Sequence, residues 1–191
     1  MLVNYENTLS DIDNHWASEP INKLANNLIL QGNPDGEYKP EASVTRAEVS
    51  AIIVRALGLV QGVARNTFTD AADNAWSAEA IQVAYAYGLI GGYTDGSFRP
   101  NANITREDAM VIMARMARML NLTAQVDENI LAGFSDTDQI SGYARNAVAL
   151  NVSLGIVNGN PNGTIAPKDE LSRAEFAVLI ERMLVKAGLM N

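Results

Sequence analysis

Hydrophobic residues recur at helical spacing in six stretches of the chain, and these stretches form three similar pairs. In the first pair, the shorter stretch places Ile21, Leu24, Ala25 and Leu28 on one face of a helix. A period of three to four residues is typical of a helix with one buried side. The pattern therefore predicts three copies of a unit made of a helix, a turn-rich loop and a second helix. The apolar faces of the three second helices are Val49, Ile52, Ile53, Ala56 and Leu57; Ala109, Ile112, Met113, Met116 and Leu120; and Phe176, Leu179, Ile180, Met183 and Leu184.

The residues at the start of each second helix carry the signals of helix initiation. A hydroxyl residue stands at the N-cap position and an acidic residue follows three positions later, which is the spacing of a capping box. An arginine follows the cap directly, where the helix dipole disfavours a cation by roughly 0.3–1 kcal/mol. Helix initiation explains the capping residue and the acidic residue but not the arginine. We therefore expect the arginine to interact with a partner. The three stretches are Val44-Thr45-Arg46-Ala47-Glu48, Ile104-Thr105-Arg106-Glu107-Asp108 and Leu171-Ser172-Arg173-Ala174-Glu175.

Shared landmarks set the boundaries of the three units. We predict one domain, residues 1–191, with repeats at 9–60, 68–120 and 134–188. Each first helix ends near a glycine, and each loop contains an Asp-Gly or Asn-Gly turn, which supplies a positive φ. The glycines are Gly32, Gly92 and Gly159; the turns are Pro34-Asp35-Gly36, Thr94-Asp95-Gly96 and Pro161-Asn162-Gly163; and the residues expected to point inward after the turns are Tyr38, Phe98 and Ile165.

The predicted fold class is all-α. One pair of helices has too little core to be stable alone, so we expect the three helix-loop-helix repeats to assemble into a single body. We favour a ring closed with pseudo-threefold symmetry over an open stack, because the apolar faces of the second helices then converge on one axis. Grooves between the repeats follow from this arrangement.

Composition and motifs exclude several classes of function. A net charge of −8 argues against a nucleic-acid binder, and the absence of cysteine excludes disulfides, thiolate metal sites and a cysteine nucleophile. No apolar run approaches the roughly 20 residues of a membrane span. No secretory signal opens the chain, which leaves the compartment open because a segment of a longer protein need not carry one. The loops lack the pattern of a calcium site, and no G-x-S-x-G motif or marked carboxylate pair is present, so we predict no metal, no cofactor and no catalysis.

These landmarks together resemble three tandem S-layer homology domains over residues 9–188. The family pattern is a Phe-x-Asp opening, a Trp soon after, a Gly-x-x-x-Gly helix end, an Asp-Gly-x-Phe-x-Pro loop and an Ile-Thr-Arg-Ala-Glu-Phe helix start. The openings here are Leu9-Ser10-Asp11, Phe68-Thr69-Asp70 and Phe134-Ser135-Asp136. The other matches include the three arginine-bearing stretches, Trp16, Trp76, Gly88-Leu89-Ile90-Gly91-Gly92 and Asp95-Gly96-Ser97-Phe98-Arg99-Pro100.

The resemblance implies a secreted module at the bacterial cell wall or S-layer that binds a secondary cell-wall polysaccharide attached to peptidoglycan. In many such proteins the ligand is a pyruvylated N-acetylmannosamine, held in the grooves between the units of a pseudo-trimer. The chain is then expected to be a monomer with no nucleic-acid partner and no membrane insertion. The arginine of the helix start is the family's main contact to the acidic sugar, with further contributions from residues near the glycines and from the aromatic residue after the opening aspartate. The candidate ligand-binding residues are Arg46, Arg106, Arg173, Trp16, Trp76, Gly32, Gly92, Gly159, Asp11, Asp70 and Asp136.

Departures from the family pattern predict that the three sites are unequal. Leu9 replaces the opening phenylalanine of repeat one, and repeat two has Glu107-Asp108 in place of Ala-Glu. Repeat three lacks the tryptophan, and Tyr143 is the nearest aromatic residue. The groove that relies on repeat three is therefore expected to be the weakest.

Each candidate also has a structural alternative. The arginines, beside helix N-termini that favour anions, either form bidentate carboxylate sites or pair with Asp11, Asp70 and Asp136, and we favour ligand contact for at least two of them. Trp16 and Trp76 either stack on a sugar or fill the core, with equal support. The aspartates are better explained as caps or arginine partners than as ligand contacts. For the whole chain, the alternative is a helical-repeat protein-protein interaction module of a cell-surface assembly, which predicts an exposed apolar patch, and a wall hydrolase is the least favoured.

Overall fold

The computed structural model describes residues 9–60, 67–72 and 75–191, and within these ranges it contains six α-helices and isolated backbone bridges but no strand. The α-helices are α1 (Ser18–Asn26), α2 (Arg46–Ala56), α3 (Ala78–Ala86), α4 (Arg106–Met119), α5 (Arg145–Ser153) and α6 (Arg173–Lys186). Each repeat holds one pair, so the all-α prediction is confirmed. Two short 3₁₀ helices, Glu128–Gly133 and Thr137–Gln139, lie between α4 and α5, and the first of them packs against α5. The first eight residues of the predicted domain lie outside the described ranges.

The second helix of each repeat begins at its arginine, as predicted. Thr45, Thr105 and Ser172 are the N-caps, because each side-chain oxygen accepts a hydrogen bond from the backbone N–H three residues later. In repeats one and three, the glutamate at that position accepts the N-cap N–H in return and completes the capping box. In repeat two, Asp108 makes no return bond, so the predicted capping box is only half formed there. Its shorter side chain instead accepts a hydrogen bond from the hydroxyl of Tyr143.

Backbone hydrogen bonds close the three repeats into a ring. The amide of Val44 donates to the carbonyl of Leu171, that of Leu171 to the carbonyl of Ile104, and that of Ile104 to the carbonyl of Val44. The three N···O distances are 2.9, 3.0 and 3.1 Å. Each repeat therefore donates to one neighbour and accepts from the other, which an open stack cannot do. The predicted closed ring is confirmed.

The first two amides of each second helix are also bonded between repeats. The backbone N–H groups of Arg46 and Ala47 donate to the carbonyls of Ala102 and Pro100 in repeat two, both at 2.9 Å. Repeat two makes equivalent bonds to repeat three, and repeat three makes them to repeat one. Because these amides already have protein acceptors, binding of an anion at this end of the helix is left to the arginine side chain.

The helices pack mainly across the repeat boundaries. The first helix of each repeat covers the second helix of the preceding one around the ring, since α3 packs on α2, α5 on α4 and α1 on α6. At the centre, α6 contacts both α2 and α4. Buried residues from all three repeats form one hydrophobic cluster, which also contains the inward-pointing residues predicted after the turns. The helix pairs that the sequence pattern groups into one unit are therefore not the pairs that share the closest packing.

The predicted ends of the first helices are wrong. These helices end before position 28 or its equivalents, and the chain reverses at Leu28, Gly88 and Gly155, whose φ values are 60°, 69° and 74°. Gly32 and its equivalents lie about one turn further along the loop. Leu28, which we expected on the buried face, is 60% exposed. A side chain in this left-handed region costs roughly 1–2 kcal/mol, a cost that glycine avoids.

Candidate ligand-binding grooves

Three surface grooves lie between the repeats, and each groove combines residues from all three repeats. We name them the Arg46, Arg173 and Arg106 grooves after the helix-starting arginine that lines each one. The Arg46 groove is formed by the loop and second helix of repeat two, with Arg46 from repeat one and Tyr143 from repeat three. The Arg173 groove is formed by the loop and second helix of repeat one, with Arg173 from repeat three and Trp76 from repeat two. The Arg106 groove is formed by the loop and second helix of repeat three, with Arg106 from repeat two and Trp16 from repeat one.

The three arginines are anchored in the same way. Nε of Arg46 donates to the carbonyl of Phe98 at 2.8 Å, and Nη2 donates to the carbonyl of Gly91, also at 2.8 Å. The guanidinium carbon lies 4.5 Å from the centre of the Phe98 ring, a favourable cation–π distance. Nε of Arg106 and Nε of Arg173 make the equivalent bond, at 2.8 Å, to the corresponding carbonyl of the next repeat. The loop of a neighbouring repeat thus fixes the direction of each guanidinium group.

The arginines differ in their charge partners. Nη1 of Arg173 forms an ion pair with Glu48, and Nη1 of Arg106 forms one with Glu175. Both arginines are nearly buried, with 9% and 8% of their surface exposed. Arg46 forms no ion pair with any residue that the structure describes. The alternative prediction, pairing with the opening aspartates, is wrong: the two paired arginines contact the glutamates of the capping boxes.

Each groove contains a second arginine that the sequence reasoning missed. Arg55, Arg115 and Arg182 lie on the second helices that line the Arg173, Arg46 and Arg106 grooves, respectively. Each donates from Nη1 to a backbone carbonyl, at 3.1 to 3.2 Å, near the start of the loop in its own repeat. Burial lowers the pKa of the Arg55 guanidinium, which still stays charged at neutral pH because arginine ordinarily loses its proton only far above neutrality. The constant spacing of nine positions from the helix-starting arginine was the signal available in the sequence.

The aromatic candidates lie in the grooves and not in the core. Trp16 and Trp76 are 63% and 68% exposed, so the alternative of core filling is wrong. Tyr143 takes the corresponding place in the third groove, also 63% exposed, and its hydroxyl donates to Asp108 at 2.7 Å. Burial and the adjacent carboxylates raise the pKa of Tyr143 above its ordinary value, so the hydroxyl remains protonated. An exposed ring beside guanidinium groups can cover the apolar face of a sugar.

Gly32, Gly92 and Gly159 line one groove each, and close packing explains them. A Cβ atom on Gly92 would lie 2.3 Å from the ring of Phe68 and 2.8 Å from the carbonyl oxygen of Ser97. The equivalent atoms on Gly32 and Gly159 would lie 2.5 and 2.4 Å from the opening side chains of repeats one and three. The glycines therefore let the opening residue of each repeat pack directly under the loop that forms the groove.

Asp11, Asp70 and Asp136 support the loops from outside the grooves. Each carboxylate accepts hydrogen bonds from two consecutive backbone N–H groups, at 2.7 to 2.9 Å. Burial alone would raise the pKa of Asp11, but the N–H groups of Tyr38 and Lys39 hold that pKa below its ordinary value. Because the carbonyl of Tyr38 in turn anchors an arginine, the aspartates position the binding residues. None of the three is among the residues that line the grooves. Their direct contact with a ligand stays a prediction.

The grooves share one chemistry but differ in size. Each is lined by two arginines, one carboxylate and at least one exposed aromatic ring, which suits an anionic ligand with an apolar face. The Arg46 groove has a volume of about 190 Å³, against about 470 Å³ for the Arg173 groove and about 400 Å³ for the Arg106 groove. Tyr93 lines the smallest groove, and asparagines line the corresponding wall of the other two. Among the described residues we find no cluster of potential metal ligands, and none of the described helices is long and apolar enough to cross a membrane.

The family model of the S-layer homology domain matches the chain three times, at residues 8–50, 67–110 and 133–177. An amylopullulanase from Thermoanaerobacterium thermosulfurigenes is 44% identical over 186 residues, which are 96% of this chain and 10% of that protein. An exoglucanase from Acetivibrio thermocellus is 41% identical over 183 residues, which are 95% of this chain and 16% of that protein. A cellulosome-anchoring protein from the same species is 32% identical over 165 residues, 84% of this chain and 36% of that protein. The chain thus spans between a tenth and about a third of the length of these relatives.

Proposed function

Because the chain belongs to the S-layer homology family, we propose that it is a non-catalytic anchoring module whose grooves bind an anionic secondary cell-wall polysaccharide attached to peptidoglycan. The preferred ligand is a terminal pyruvylated N-acetylmannosamine, which offers a carboxylate and a sugar ring. The chain then acts outside the cell, at the cell wall or S-layer, as a monomer whose three repeats take the place of a trimer. It attaches the longer protein of which it forms a part.

The observation that carries the proposal is the set of two arginines and at least one exposed aromatic ring in every groove. Guanidinium groups bind carboxylates through pairs of charge-assisted hydrogen bonds. Aromatic rings pack against the apolar faces of sugars. One relative is named a cellulosome-anchoring protein, which agrees with an anchoring role.

We assign no reaction to this chain. The relatives named as polysaccharide-degrading enzymes match it over only 10% and 16% of their own length. Most glycosidases need two carboxyl groups on either side of the scissile bond. Among the described residues, each groove is lined by only one carboxylate. Catalysis in such relatives is therefore assigned to other parts of their chains.

Isothermal titration calorimetry with purified pyruvylated wall polymer tests the proposal. The variant in which Arg46, Arg106 and Arg173 are all changed to Ala should bind at least about a hundredfold more weakly, since charge-assisted bonds are lost in every groove. A matched control loses the same charge at exposed positions that line no groove: Lys39, Arg118 and Lys186, all changed to Ala.

The control should bind as tightly as the unaltered chain. Undiminished binding by the groove variant would contradict the proposal. If the unaltered chain bound no polymer but retained a protein from wall-free extracts, a protein-protein interaction module of a cell-surface assembly would take its place. The exposed groove rings argue against that alternative, because they are distributed over all three grooves instead of forming one apolar patch.

A further inference from the structure

We propose that the grooves are not equivalent, and that Asp108 makes the Arg46 groove the one whose arginine receives a carboxylate without first losing a protein partner. This inference deepens the proposed function, because it identifies where an anionic ligand binds first.

In the Arg173 groove the arginine is already engaged. Glu48 accepts the backbone N–H of Thr45 at 2.8 Å with one oxygen and forms the ion pair with Arg173 through the other. The capping box therefore holds the glutamate in place beside the guanidinium group. Glu175 does the same in the Arg106 groove. A ligand carboxylate in either groove has to compete with a protein carboxylate that the helix start keeps in position.

In the Arg46 groove the corresponding position is Asp108. Its side chain is one methylene shorter, it makes no bond back to its N-cap, and it forms no ion pair with Arg46. Its Oδ1 accepts the hydroxyl of Tyr143 at 2.7 Å instead. Nη1 of Arg46 consequently has no hydrogen-bond partner in the described part of the chain. The same atom binds the glutamate in the other two arginines.

Net charge does not explain the difference, because all three grooves contain two arginines and one carboxylate. What differs is whether that carboxylate occupies the guanidinium group. Arg46 is also held ready by the bonds of Nε and Nη2 to two carbonyls, and its guanidinium carbon lies 5.0 Å from the centre of the Tyr93 ring. A preorganised and unpaired cation gives a ligand the full benefit of a charge-assisted bond.

The smaller volume of the Arg46 groove adds a preference for ligand size. At about 190 Å³ it is the smallest of the three grooves. A compact terminal group that carries the carboxylate suits this space better than an internal stretch of polymer. The two larger grooves have room for neighbouring sugars.

NMR titration with sodium pyruvate, a free carboxylate, tests the inference without the wall polymer. The amide signals of Gly92, Gly32 and Gly159 report on the three grooves separately, and sodium chloride keeps the ionic strength constant. We expect the Gly92 signal to give a dissociation constant about tenfold lower than the other two, the size of one charge-assisted bond. Equal constants in the three grooves, or no response at Gly92, would overturn the inference.

Two reciprocal variants separate the role of Asp108 from other differences between the grooves. Asp108→Glu should pair with Arg46 and raise the dissociation constant at Gly92 about tenfold, and Glu48→Asp should lower the constant at Gly32 by a similar factor. Circular dichroism checks that both variants are folded. If one variant does not fold, the other variant alone is sufficient for the comparison. If neither constant changes, the inference is wrong. Wall-polymer calorimetry tests the proposed function separately, so pyruvate binding at Gly92 without polymer binding would contradict only that function.

Discussion

The Arg46 and Arg173 grooves are built from equivalent residues, yet one arginine is unpaired among the described residues and the other is bound to a glutamate. The difference follows from one methylene group, because position 108 is Asp where position 48 is Glu. Asp108 belongs to repeat two, but the arginine that it leaves unpaired belongs to repeat one. In a closed ring of repeats, a substitution in one repeat therefore alters the site of its neighbour.

The same comparison shows why no groove can be assigned to one repeat. Each groove takes its loop and second helix from one repeat, its helix-starting arginine from another and its most exposed aromatic ring from the third. The missing tryptophan of repeat three accordingly affects the Arg46 groove, where Tyr143 takes its place. It does not affect the groove that the loop of repeat three forms.

The largest expected loss of stability distinguishes the loop glycine of the Arg46 groove from that of the Arg173 groove. Gly92→Ala in the Arg46 groove should lower the free energy of unfolding by about 3 kcal/mol, because its Cβ would meet an aromatic ring and a backbone oxygen. Gly32→Ala in the Arg173 groove should cost about 1 kcal/mol, since the closest atom is the end of the flexible Leu9 side chain. Urea denaturation measures both.

Gly91→Ala is the matched control for the glycine prediction. It lies beside Gly92, and an added Cβ there meets no atom within 4 Å. Its stability should be nearly unchanged. Equal losses for Gly92→Ala and Gly91→Ala would show that steric contact with the opening residue does not explain the glycine.

The next effect compares the two arginines directly. Arg173→Ala should lower the free energy of unfolding by about 2 kcal/mol, because it leaves Glu48 partly buried without its cation. Arg46→Ala leaves no carboxylate unpaired in the part of the chain that the structure describes and should cost about 1 kcal/mol. Chemical denaturation of both variants in the same buffer provides the test. If Arg46→Ala proved the more destabilising, the assignment of an unpaired Arg46 would be wrong.

The smallest expected change in stability concerns the chain reversals that precede the loops of the two grooves. Leu28 precedes the loop of the Arg173 groove with a φ of 60°, and Gly88 occupies the equivalent position before the loop of the Arg46 groove. Leu28→Gly should raise the free energy of unfolding by about 1 kcal/mol. The left-handed backbone at Leu28 is destabilising, and its exposed side chain gains little burial to offset this cost. Thermal denaturation should show a higher Tm. A lower Tm would mean that Leu28 makes a stabilising contact that outweighs the strain.

The sequence predicted the fold well because its signals are local and occur three times. Hydroxyl caps, Asp-Gly turns and apolar periodicity identify helices without any knowledge of tertiary structure, and Thr45, Thr105 and Ser172 cap as expected. The pairing of first helices with the preceding repeat could not be predicted, because spacing within a unit does not say which neighbour covers its apolar face.

The binding residues were predicted less completely. The helix-starting arginines stood out because helix initiation did not explain them. The second arginines, such as Arg115, were missed because a cation inside a helix resembles ordinary solvent-facing charge. The ion pair between Arg173 and Glu48 was also missed, since it joins residues of different repeats through ring closure. A shared spacing across repeats is visible in a sequence, but a contact between repeats is visible only in the fold.

The most direct measurement is a crystal structure of the chain with the pyruvylated monosaccharide bound. We predict that its carboxylate lies within hydrogen-bond distance of Nη1 of Arg46, with the sugar ring against Tyr143. The glutamate partners of Arg106 and Arg173 should remain in place wherever no sugar is bound. A sugar bound outside all three grooves, or in a groove without contact to any guanidinium group, would contradict the account.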